Sequence, residues 1–141
     1  MGAFSNYFES GILNATLRAN TNSFAFPSAV ALALCKNAPA ETQSGATIPE
    51  ITNAGSYARL AITKNNTNWT EVVQVSTSGW IENGAEFLFT TATADWGHVS
   101  GWALVTSATY GAGEVIMLGT FPTPRVILSG DAAVIRAGSI D

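Results

Sequence analysis

Asp95 and His98 stand three residues apart and are the one pairing in this chain that suggests acid–base catalysis. A nucleophilic triad needs more than an oriented imidazole. It needs a hydroxyl or thiol held against that base, and no Ser lies in a Gly-x-Ser-x-Gly elbow. The single His and the single Cys, Cys35, are far apart in the chain, so they form neither a thiolate–imidazole pair nor a metal-ligand cluster. Glu82 and Glu86 flank Asn83-Gly84 and read as solvent-facing, and nothing singles out a glycosidase-type carboxylate pair. Gly111-Ala112-Gly113 leads into an apolar, strand-like run, whereas a phosphate cradle opens a helix. The reading is a protein that is not an enzyme, with no catalytic, cofactor-binding or metal-binding residues.

Two other groups carry structural or binding chemistry. Asp95-Trp96-Gly97 reads as a structural corner. There Asp95 would accept backbone N–H groups, Trp96 would fill one end of the core, and Gly97 would take a positive φ. Four tryptophans stand at positions 69, 80, 96 and 102. Large aromatics usually fill the core of a small β domain, but exposed ones make platforms for sugar rings. Trp69 and Trp80 adjoin Asn-rich or Gly-rich loops and are the candidate glycan contacts.

The elements that must position these residues follow from periodicity. Phe4, Phe8, Ile12, Ala15 and Leu17 recur at helical spacing, which predicts a helix from about Asn6 to Arg18. Asn6 and Glu9 fit a capping box. This helix either folds onto its own sheet or docks as an arm on a neighbouring subunit. After the polar loop Asn20–Ser23, Ala29–Lys36 is a continuous apolar run that reads as a strand buried on both faces. Residues 37–55 form a long polar connection that reads as a surface reaching out to a neighbour, with Ile48 and Ile51 among its contacts. Further strands are predicted over Tyr57–Thr63, Trp69–Ser76 and Ala85–Thr90, with a hairpin turn at Asn83-Gly84. Val99–Thr106 and Glu114–Phe121 follow. Pro122 and Pro124 end that last strand before Arg125–Leu128 and Ala132–Arg136. Short strands at this spacing make an all-β sandwich or barrel.

Length and composition frame this reading. A chain of 141 residues argues for one domain, with residues 1–20 as the helix or arm and 24–141 as the β-sandwich. The charged fraction is 11%, against a usual ~25%. Such a surface suits burial against copies of itself or a partner lattice, where charges would have to be desolvated. The six Lys and Arg are scattered and the net charge is −4, which disfavours nucleic-acid binding. No apolar run reaches the ~18 residues of a membrane span. The N-terminus does not read as a secretory signal, which points to synthesis in a cytosol.

Several segments, taken in order, resemble a known family. They are Ser5-Asn6-Tyr7-Phe8-Glu9 with Leu17-Arg18, Val30–Leu34 with its Pro-containing loop, Tyr57-Ala58-Arg59, and Phe87 together with Thr91–Gly97. Gly119, Pro124, Gly130-Asp131 and Ala137-Gly138 complete the match. Together they resemble small structural proteins of tailed double-stranded-DNA bacteriophages. Members of that group are often labelled tail-fibre proteins, and similar small β proteins serve as head cement or decoration proteins. The resemblance implies a virion structural protein, made in the host cytoplasm. With the strand spacing, it leads us to expect a jelly-roll-like β-sandwich of about eight strands with an N-terminal α-helix. The first functional expectation is a homotrimeric cement protein on the head surface, bound to the major capsid protein. Phe4, Phe8, Ile12, Leu17, Ile48 and Ile51 would then make contacts between subunits or to the shell. The alternative is a tail or fibre component that binds a host glycan through Trp69 or Trp80.

Overall fold

A computed structural model describes residues 2–18, 25–75 and 78–141. The expected loop Asn20–Ser23 and the expected strand end at Ser76 lie outside the described residues. The all-β architecture with one N-terminal helix is the one observed. In chain order the elements are β1 (Gly2–Phe4), α1 (Asn6–Leu17), β2 (Val30–Cys35), β3 (Leu60–Ile62), β4 (Val73–Val75), β5 (Ser78–Trp80), β6 (Phe87–Leu88), β7 (Gly97–Val105), β8 (Val115–Ile127) and β9 (Val134–Ile135). Five strands form one sheet in the order β1-β8-β7-β2-β3, every pair antiparallel. β4 pairs with β5, and β6 pairs with β9.

β2 explains why its run is apolar at every position. Leu32 and Leu34 point into the larger core, while Ala31, Ala33 and Cys35 point to the opposite face of the sheet, which is also covered. The larger core lies between the sheet and a second layer made of the β6–β9 pair and its flanking segments, including Tyr57, Phe89, Ala133 and Ile140. β7 keeps its apolar residues on this core by a register shift between Val99 and Gly101. Val99, Trp102 and Leu104 therefore all face the same side. Trp102 sits beside Leu34 in β2 and Gly119 in β8. A Cβ on Gly119 would lie 2.6 Å from the Trp102 ring, so the indole lies flat across a position where a side chain cannot fit.

β8 runs unbroken from Val115 to Ile127, where the prolines were expected to end the strand. Its register with β7 jumps from Thr120↔Gly101 to Arg125↔Val99. Pro122 and Pro124 thus sit in a bulged stretch that owes β7 no regular ladder bonds, the setting in which a strand tolerates proline.

The connection after β2 lies down on the protein rather than reaching outward. Lys36 N–H donates to Pro49 O at 2.8 Å, Ile51 N–H to Leu34 O at 3.0 Å, and Gly45 N–H to Gly113 O at 2.9 Å. Ile48 packs with the small residues on the outer face of the sheet, and Ile51 lies in the larger core. Both were expected as outward contacts. At 7% and 0% exposure, their side chains are instead committed to the interior of their own chain. Polar composition misleads here because the loop satisfies its backbone groups on the sheet edge it covers.

The helix occupies its expected span, but its cap lies one residue earlier than Asn6. The Ser5 hydroxyl accepts the Phe8 N–H at 3.2 Å and donates to Val115 O, so one buried hydroxyl caps the helix and ties it to β8.

Candidate functional site

Among the described residues, no group of three or more His, Cys, Asp and Glu is placed to hold a metal ion. His98 is exposed, with Nδ1 3.2 Å from Lys36 O. Asp95 turns elsewhere and accepts the Ser129 N–H at 2.8 Å. This places Asp95 in a corner that joins the start of β7 to the turn after β8. Trp96 is buried and donates from Nε1 to Gly55 O at 2.7 Å. Its ring meets Tyr57 edge-on at 5.3 Å and Phe89 at 6.4 Å. Gly97 has φ +81°, where a side chain would be strained. The corner thus anchors the core, and Asp95 and His98 point to different partners.

The densest polar arrangement is one that sequence reasoning did not assemble. Arg59 follows β-spacing from Tyr57, so both side chains point to the same face, and both reach Glu50. Arg59 Nε donates to Glu50 at 2.9 and 3.1 Å, and Nη2 donates to Oε2 at 2.8 Å. Its Nη1 donates to the carbonyls of Ser107, Thr109 and Ala112 at 3.0, 2.8 and 2.7 Å, and Nη2 also reaches Gly45 O at 2.6 Å. Tyr57 O–H donates to Glu50 at 2.8 Å and accepts the Leu34 N–H at 3.0 Å. All five guanidinium hydrogens have acceptors. The group clamps the 45–50 loop to the 107–112 turn and to β2. The signal available in the sequence was Tyr57-Ala58-Arg59 with Glu41 and Glu50 in the preceding Pro-containing loop.

This environment also sets the chemistry of the neighbouring acids. Burial, reinforced by the negative Glu50 and partly offset by Arg59, pushes the Cys35 thiol up to about 12. Burial and Glu50 likewise raise the Tyr57 phenol well above its ordinary value. Both stay neutral and unreactive near pH 7, so Cys35 behaves as a small apolar residue.

The other candidate contacts divide by burial. Trp69 turns inward, with its ring 5.9 Å from Phe87. Trp80 is 42% exposed and lies opposite Val73, itself 41% exposed, on the β4–β5 ribbon. On α1, Phe8 and Ile12 are half-buried, and no residue of the helix is fully buried. Phe4, Tyr7, Leu13 and Leu17 are 47%, 41%, 58% and 75% exposed. The Phe4 and Phe8 rings meet at 5.0 Å with a 32° tilt. The structure therefore places Phe4, Phe8, Ile12 and Leu17 on the β1–α1 segment, the first and last exposed and the middle two half-buried, and removes Ile48 and Ile51 from it.

No curated protein matches the chain. A family model described as podophage GP4 fiber I protein gp80 matches residues 3–141, which takes in the arm, the clamp and the corner alike. The chain belongs to this Gp80 family of phage fibre proteins and is a structural component of a phage virion.

Proposed function

We propose that the chain is a tail-fibre subunit that assembles with copies of itself, as a homotrimer, through the apolar face of α1. The observation that carries this reading is the helix itself. It displays Tyr7, Leu13 and Leu17 to solvent and buries none of its residues completely. Large apolar side chains left exposed along one helix are what an interaction surface offers. A closed ring lets each copy offer the same helix to the next. The fibre label of the family supports the tail placement. In the receptor-binding form of this reading, Trp80 is the glycan contact, since Trp69 is spent on the core.

The test is Leu13→Glu combined with Leu17→Glu, assayed by light scattering after gel filtration. The wild type should run as a trimer and the variant as a monomer with an unchanged thermal midpoint. A wild type that stays monomeric at tens of micromolar, or a variant that stays trimeric, refutes the assembly.

The second reading is a head cement protein bound to the major capsid protein, favoured by its 11% charged residues. Mass spectrometry of purified virions separates the two readings. A ratio near one per major capsid protein means cement, and a few per hundred means a fibre.

A further inference from the structure

We propose that the cleft between the second half of β8 and the segment carrying β9 is a binding site for an acidic saccharide. The proposal rests on the fibre reading for its biological use and names a ligand class and a site for it, away from Trp69 and Trp80. The cleft encloses about 700 Å³, within the ~300–1,000 Å³ typical of small-ligand sites. It opens where the two layers of the sandwich part. Its apolar floor is supplied by Val126 and Val134, 59% and 43% exposed, over the nearly covered core residues Ile127 and Ile135.

The polar residues are what select the ligand. Arg125 and Arg136 both line the cleft, two of only six cationic residues in a chain of net charge −4. Arg59 is wholly engaged by Glu50 and backbone carbonyls. Arg125 and Arg136, by contrast, have no side-chain partner among the described residues. Two free guanidiniums beside low-dielectric walls focus positive potential on the cleft, and a guanidinium fork matches a carboxylate bidentately.

Asp131 also lines the cleft. Its Oδ2 accepts the Leu128 N–H at 2.9 Å, and the remaining oxygen can take a ligand hydroxyl. Thr123 and Ser139 add two hydroxyls, and Phe121 with Pro122 adds an apolar surface. Carboxylate recognition, hydroxyl recognition and a surface for C–H groups occur together on sugars that carry a carboxylate. Inorganic phosphate would leave the apolar floor unused, and a neutral sugar would leave the arginines unused.

The experiment is amide NMR titration of the intact chain, backed by calorimetry. The probes are a panel of acidic oligosaccharides (oligogalacturonate, a hyaluronan tetrasaccharide and oligosialic acid), a neutral malto-oligosaccharide and inorganic phosphate. At least one acidic oligosaccharide should shift amides in 121–127 and 131–139, and the Arg125→Gln/Arg136→Gln variant should bind it at least tenfold more weakly with an unchanged thermal midpoint. Failure of the whole acidic panel at millimolar concentration overturns the proposal, as does equal binding of the neutral sugar or of phosphate. Shifts centred on the β4–β5 ribbon overturn it too. Any of these failures leaves the fibre placement standing, because that placement is decided by copy number in the virion.

Discussion

Replacing Arg59 with Met keeps most of the stem volume and removes the guanidinium. The side chain it leaves is fully enclosed, and its partner Glu50 is 8% exposed. Glu50 would then keep a buried carboxylate held by the Tyr57 hydroxyl alone. Removing one partner of a buried ion pair costs about 3–5 kcal/mol, because the other charge stays behind uncompensated. Four carbonyls also lose their donors. At ~1–3 kcal/mol each, that loss would by itself rival the whole stability of a domain, about 5–15 kcal/mol. The Ser107, Thr109 and Ala112 carbonyls are at a part-buried turn, however, and water can replace the donor there. We therefore take about 4 kcal/mol for the substitution. With a urea slope of about 2 kcal/mol/M, the midpoint should fall by about 2 M. Urea unfolding followed by tryptophan fluorescence reads this directly, and hydrogen exchange should accelerate at residues 45–50 and 107–112. Adding Glu50→Leu removes the stranded charge, so the double variant should be more stable than Arg59→Met alone. A loss below about 1 kcal/mol for Arg59→Met, or a double variant that costs the sum of the singles, would show that the clamp does not hold the loops.

Two further predictions concern the core. Trp96→Ala should cost about 3–5 kcal/mol, since the ring is 6% exposed and contacts Tyr57 and Phe89; an unchanged thermal midpoint would refute the role given to the corner. Cys35 and Tyr57 make the fold sensitive to alkali. Unfolded, the thiol loses its proton near 9.0 and the phenol near 10.0, while the folded chain holds both protons to higher pH. Their contribution is therefore complete below about pH 9 and declines as pH rises, by up to about 1.4 kcal/mol per unit for each group. The stability difference between wild type and Cys35→Ala should shift against the wild type by about 3 kcal/mol between pH 8 and 11; parallel pH profiles would contradict the burial argument.

Local pattern reveals an element wherever local pattern is what decides it. β2 was legible because both of its faces are covered, so every position is apolar. The span of α1 was legible from its 3.6-residue period and its cap from the Ser/Asn at its start, to within one residue. Asn83-Gly84 shows the opposite case. The dipeptide signals a hairpin, yet Asn83 is completely buried and Gly84 does not have a positive φ. The Asn83 side chain donates to Ala85 O and Arg136 O and accepts the Ser139 and Ile140 N–H groups, so it fastens the C-terminal segment into the second layer. An amide with two donors and an acceptor oxygen serves that purpose as well as it serves a turn, and nothing within five residues distinguishes the two uses. The Glu50–Arg59 clamp was hidden for the same reason, since four of its seven guanidinium bonds reach residues 9 to 14 positions away and the other three lie about 50 positions on. Those bonds turn what reads as an outreaching loop into a covering one.

These hubs bear on the helix. The long connections are held by Glu50, Arg59 and Asn83, and the two layers by a core to which α1 adds no fully buried residue. The helix is tied down at its base by the Ser5 cap, the β1 pairing and the Asn6 N–H bond to Glu41 O, and Phe8 and Ile12 half-bury its inner side. A 12-residue helix is marginal in water unless something packs on it, and Gly11 at its centre weakens it by up to ~1 kcal/mol. On its outer side Leu13 and Leu17 are 58% and 75% exposed. In the proposed assembly, burying Leu13 and Leu17 would supply about 1.5–3 kcal/mol for each fully covered side chain. The arm is thus better fitted to bind another surface than to complete its own domain, and this is the physical ground on which the assembly reading stands.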